Sequence, residues 1–256
     1  MNNNVILPQL VRTNLKLLGH KLGIMEVLVS KEKQAMYSSV CPLVGASIGQ
    51  HIRHSMDHVE RATVATTTAY LTPRVPSMKK ENYHAHNHEH SHSHDASENH
   101  NHSHSDHEND HSNPNRYNLI PPSNVSLEIH YDVRERGGLD ESQMEAARDR
   151  ILAVASSLEE LQEECRIFEM DPQLPQHMLR GAHPIEACFV LDGDPVSPEV
   201  GLPSTLAREL GFAAHHAIHH LAMIRILALH HAGLSPSDLP PDFGRAPSTV
   251  QHDNTR

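Results

Sequence analysis

The segment His215-His216-Ala217-Ile218-His219-His220 brings four imidazoles into little more than one helical turn. At about 100° per residue, Leu206, Leu210, Ala213, Ala217, Leu221, Ile224, Leu227 and Ala228 form one apolar stripe. His220 falls inside that stripe and His216 on its edge, whereas His215 and His219 turn to the polar side with Arg208 and His230. Two imidazoles four residues apart on one helix face can share a divalent metal ion, the geometry used by helical zinc-protease motifs. A lone histidine on an apolar face is more often a satisfied core residue, and it is the second, stacked imidazole that turns the reading towards a metal.

A second histidine group lies far upstream. Ser47 and Gln50 have the spacing of a capping box, in which each side chain satisfies a free backbone N–H of the first turn. The helix that follows has Ile48, Ile52, Ser55, Val59 and Ala62 on its inward stripe. His51, His54 and His58 run beside that stripe, with Arg53, Asp57, Glu60 and Arg61 further round and Asp57 and Glu60 read as facing outward. Periodicity sets His51 and His58 nearer the stripe than His54, so spacing alone does not choose a ligand. A solvated flank remains the plainer reading of these three histidines taken alone.

Four helices would position these groups, and the fold class is all-α. The first runs over Leu7–Lys33 on Leu10, Leu15, Leu18, Leu22, Met25 and Leu28, with Gly19 and Gly23 weakening its straightness. The second spans Ser47–Tyr70. The third spans Asp140–Glu164, capped by Asp140 or Ser142, with Met144, Ala147, Ile151, Val154, Leu158 and Leu161 on its core face. The fourth spans Ser204–His231, started by Pro203 and Ser204 and stopped by Gly233. Before it, Cys165–Met170 and Ile185–Leu191 are short β-type runs that fit a small hairpin or two extended strands. Another alternating run covers Val125–His130, and the tail, 234–256, reads as irregular.

Composition narrows the function. The net charge of −11 and the lack of a basic run argue against nucleic acid or an anionic membrane as partner. With 4% aromatic residues and no tryptophan, a base-stacking platform is also disfavoured. Cys41, Cys165 and Cys188 are odd in number and far apart, which fits a reducing compartment better than a disulfide framework. No signal-peptide pattern opens the sequence and no apolar run nears ~18 residues. The expectation is a cytoplasmic protein. Cys165 and Cys188 read as buried fillers rather than nucleophiles.

Between His84 and His111, histidines alternate with Asn, Ser, Glu and Asp, and only Ala85 and Ala96 are apolar. A segment that buries so little cannot offset the entropy of its ordering, so 77–115 is expected to be a disordered insertion within one domain covering 1–256. Its imidazoles could hold zinc, nickel or copper loosely.

Ser47-Ile48-Gly49-Gln50-His51-Ile52-Arg53-His54-Ser55-Met56-Asp57-His58 resembles the second-helix signature of the DinB-like (DinB/YfiT-type) family. His216-Ala217-Ile218-His219-His220-Leu221-Ala222-Met223-Ile224 is similar to that family's last-helix metal motif, and Asp242–Thr249 to tails of one uncharacterised branch. The resemblance implies an up-down-down-up four-helix bundle holding a divalent ion (zinc, nickel or iron) on three histidines. Carried over, these are His54, His216 and His220, with His58 in reserve. It also implies a small-molecule substrate, in several members a low-molecular-weight thiol used in S-transfer or isomerisation, and is compatible with a homodimer. Other members form half of sulfoxide synthases, whose large second domain has no counterpart here. The histidine-rich insertion departs from the family pattern, as does the lack of a tryptophan before the second helix.

Three functions therefore compete. One is a metal-dependent enzyme activating a thiol or water, with no general base assignable. The second is a non-catalytic metal buffer working through the histidine-rich tract. The third is a bundle whose histidines are only structural. Excising 77–115 bears on the second: in metal-free buffer the melting temperature should fall by no more than a few degrees, and a larger fall would show that the tract packs on the helices.

Overall fold

The computed structural model describes residues 5–71, 127–133, 137–171, 173, 176–194 and 196–255. The stretch 77–115, read as disordered, lies outside them. The described residues are mostly helical, with one small sheet. In chain order the elements are α1 (Leu7–Ser30), α2 (Ile48–Leu71), β1 (Glu128–His130), α3 (Leu139–Ser142), α4 (Met144–Met170), β2 (Pro184–Phe189), β3 (Val200–Thr205), α5 (Leu206–His230) and α6 (Pro247–Asp253). α2 packs along α5 and α4, and α1 along α4 and α5, so every long helix has two long neighbours. None of the described helices is long and apolar enough to cross a membrane.

α1 runs unbroken through Gly19 and Gly23, but its buried face is rotated from the leucine stripe read in the sequence. Leu10, Leu15 and Leu22 are only half-buried, and the core side is Leu7, Val11, Leu18, Ile24 and Leu28 with two polar residues, Asn14 and Lys21. Asn14 is accommodated because its Nδ2 donates to the Leu10 carbonyl at 3.0 Å and to the Leu210 carbonyl of α5 at 3.2 Å. Lys21 is fully buried and donates to the weak acceptor Met56 Sδ at 3.3 Å.

α2 opens with the capping box: Gln50 N–H donates to Ser47 Oγ at 3.1 Å and Ser47 N–H to Gln50 Oε1 at 3.0 Å. Gly49 then allows α3 to come in close, since a Cβ there would sit 2.1 Å from the Glu141 carbonyl oxygen. The third helix of the sequence is two pieces. Gln143 is extended (φ −117°, ψ 116°) and separates α3 from α4. Neither Asp140 nor Ser142 caps α4, because Asp140 is turned to Arg150 and the Ser142 hydroxyl to the Leu139 carbonyl. The expectation of a strand at Cys165–Met170 fails at the other end. The three-four spacing of Leu158, Leu161, Cys165 and Phe168 carries the buried face onward, and α4 continues to Met170.

The sheet has the order β1-β2-β3, parallel between β1 and β2 and antiparallel between β2 and β3. The run Ile185–Leu191 is β2 in essence, but its hairpin partner is β3, which contains Gly201 and Pro203. Pro203 is tolerated because β3 is an edge. Ile129, Tyr131, Ile185, Ala187, Leu206 and Ala65 form the apolar cluster that fastens the sheet to α2 and α5. α5 begins at Leu206, with Thr205 Oγ1 accepting from Arg208 N–H at 3.3 Å as its cap, while Ser204 belongs to the strand. Gly233, in the left-handed region at φ 66°, follows its end. The tail is more regular than expected: it holds a 3₁₀ turn at Pro236–Asp238 and α6, with Phe243 fully buried and its carbonyl accepting from Arg225 Nη1 at 2.7 Å.

Lys21 gives a test of this core. Burial, reinforced by the Arg150 charge and opposed by Asp57, lowers its pKa from 10.5 to about 7. Between those values the unfolded chain binds a proton that the folded chain does not, so stability falls as pH drops through that window and is level below it. Lys21→Met should therefore raise the melting temperature by several degrees at pH 7, with the advantage shrinking as pH approaches 10.5. Thermal melts of both proteins across that range check it, and parallel pH profiles would refute it.

Candidate metal centre

α2 and α5 cross so that the histidine-bearing turns face each other. On α5 the expected stripe is buried throughout, His220 is buried, His216 half-buried, and His215 and His219 exposed. His54 Nε2 lies 3.2 Å from His216 Nε2, and His216 Nε2 lies 3.1 Å from His220 Nε2. The three ligand atoms are all within 4.8 Å of one another, close enough to bind one metal ion. A tetrahedral ion with metal–nitrogen bonds of about 2.0–2.1 Å has ligand atoms about 3.3–3.4 Å apart. The two observed separations fall just inside that edge length, so the residues present fit a metal. Burial first, then His216, His54 and His51, push the His220 imidazole down to about 2. It is therefore neutral, as a metal ligand must be.

His58, the reserve ligand, is not in this set. Its ring stacks on Tyr131 (centroids 4.9 Å apart, 19° between planes) and lies 4.0 Å from the His216 ring. Tyr131 is held in turn by Glu209, a fully buried carboxylate near the start of α5. The Tyr131 hydroxyl donates to Glu209 Oε2 at 2.8 Å, while Ser204 Oγ and Arg208 Nη1 donate to Oε1. Burial and the Glu209 charge push the phenol pKa well up, so Tyr131 stays a neutral donor. Tyr131, Phe189 and Phe212 make an aromatic wall against His58 and His216. Sequence reading passed over Glu209, although a charge seven residues before His216, inside an apolar stripe, was the available signal.

Asp57 corrects a second expectation. It does not face outward: it is buried, accepting from Arg53 Nη1 at 2.7 Å and from Arg150 Nη2 at 2.9 Å. Arg150 also donates to Glu60 and Asp140, and Arg53 pairs with Glu141 at 2.8 Å. The back of the histidine turn is thus tied to α3 and α4 by ions, and none of these carboxylates belongs to the three-histidine set. The cysteines behave as fillers. Burial raises the Cys165 thiol to about 12 and the Cys188 thiol also upward, and both are buried.

Among known proteins, no family model matches the chain. No solved structure matches it either. Over 134 residues, 52% of its length, the chain is 30% identical to a protein of Rhizopus delemar named FK506-binding protein 5, and it spans 30% of that protein. A match covering so little of that protein assigns the chain to no family.

Proposed function

We propose that the chain is a metal-dependent protein of the DinB-like type, in which His54, His216 and His220 hold one divalent ion that activates a thiol or water toward a small electrophile. The observation that carries the reading is the 3.2 Å separation of His54 and His216 Nε2 across α2 and α5, which the sequence places far apart, completed by the 3.1 Å separation of His216 and His220 Nε2 within α5. In this reading α1, α2, α4 and α5 form an up-down-down-up four-helix bundle, with the sheet as an attachment at the α5 end. A divalent ion on three imidazoles supplies a Lewis acid with open positions, lowering the pKa of a bound thiol or water. Cys165 and Cys188 are poor nucleophiles, because both are buried and burial raises both thiols, and in this reading the thiol is that of a small molecule. His54 and His216, both half-buried, are the ligands on the more accessible side, and Phe212 beside His216 offers the substrate an apolar flank.

The histidine-rich composition of 84–111 favours a rival reading, a metal buffer, and one experiment separates the two. In a chain lacking 77–115, calorimetric titration with zinc and nickel should show one tight site. Alanine at His54, His216 or His220 should cost orders of magnitude in affinity. Alanine at the exposed His215 or His219 should cost little. Equal effects at all five positions, or loss of all binding with the tract, would overturn the enzyme reading.

A further inference from the structure

His51 stands outside the three-nitrogen set yet touches it. It lies three residues before His54 on α2, and its Nδ1 is 2.9 Å from His220 Nδ1, with the ring centroids 5.1 Å apart. A neutral imidazole carries one N–H and one lone pair, so at this distance one ring donates and the other accepts. The direction matters. If His51 donates, the His220 proton sits on Nε2, pointing at His216 Nε2 3.1 Å away, and that nitrogen has no lone pair for a cation. If His220 donates, its Nε2 lone pair is free and faces His54 and His216.

We propose that His51 is the positioning residue for His220, accepting the His220 Nδ1–H and thereby presenting the Nε2 lone pair to the metal. The proposal rests on the three-histidine centre described above. Histidines that ligate metals usually donate their second N–H to a carboxylate, a carbonyl or water, which fixes the tautomer and the ring angle. Among the described residues, the hydrogen-bond partners of His220 are His51 and His216 alone, so this acceptor is an imidazole. The remaining nitrogen of His51, Nε2, is buried and has no hydrogen-bond partner among the described residues. It is unsatisfied as a donor or as an acceptor, so the His51 surroundings do not fix the tautomer. The ligand demand on His220 does.

The test keeps the full chain and uses the His54→Ala/His216→Ala/His220→Ala triple variant as the blank for metal bound elsewhere. His51→Asn leaves an acceptor oxygen near the Nδ1 position, whereas His51→Leu removes it. Zinc affinity above the blank should fall about 10–100-fold in His51→Leu and stay within a few-fold of the parent in His51→Asn. The cobalt-loaded absorption spectrum should shift in His51→Leu and hold in His51→Asn. Melting of the metal-free proteins separates loss of the site from loss of the fold. A parent chain that binds no more zinc than the blank would overturn the metal centre itself. A parent that binds, with His51→Leu matching it in affinity and spectrum, would overturn the role of His51 alone. Equal losses in His51→Leu and His51→Asn would also overturn that role, since an acceptor at Nδ1 would then not be what matters.

Discussion

The close seam between α2 and α5 is the constraint on which the rest depends. Nitrogens on two helices approach to 3.2 Å only if the helix axes are near and the turns in register. Ala213, Ala214 and Ala217 are buried on α5, and small side chains on a packed face allow two helices to lie close together. Register comes from the other side of α2. Arg53 and Asp57 are locked by Arg150 and Glu141, so α2 cannot turn about its axis without stranding buried charges. Such stranding costs about 3–5 kcal/mol, more than a few tenths gained by any surface pair. The imidazoles thus sit on the front of a turn that ions hold from behind.

What the sequence made legible followed from local periodicity. The stripe of α5, the outward turn of His215 and His219 and the capping box at Ser47 all depend on residues within a turn or two of one another, and all appear in the structure. What it hid depended on distant partners. Asp57 reads as a surface acid until Arg150, 93 residues away, is beside it. Asn14 and Lys21 are absent from the leucine stripe read in the sequence, yet both are buried, against α5 and α2 respectively. β3 was illegible because glycine and proline dilute its pattern and only pairing with β2 makes it a strand. The short run Cys165–Met170 was ambiguous for a different reason, since a few apolar residues fit either period until the helix before them is known to continue. For His54, periodicity left three candidates open and the family resemblance named one. The structure brings that one to His216 and His220, and sets His51 and His58 against the set from two sides.

The make-up of the set has an electrostatic corollary. His54, His216 and His220, with His51 behind them, bring no carboxylate to the centre, so these side chains would leave the charge of a dication uncancelled. The chain as a whole carries −11. The sign of the potential would then reverse over a short path, repulsive to anions in the surrounding solvent and attractive to them within reach of the imidazoles. Beyond about 8 Å at physiological salt the outer repulsion is largely screened. A compact monoanion such as a thiolate could cross that boundary, while an extended polyanion would have to keep most of its charge on the unfavourable side.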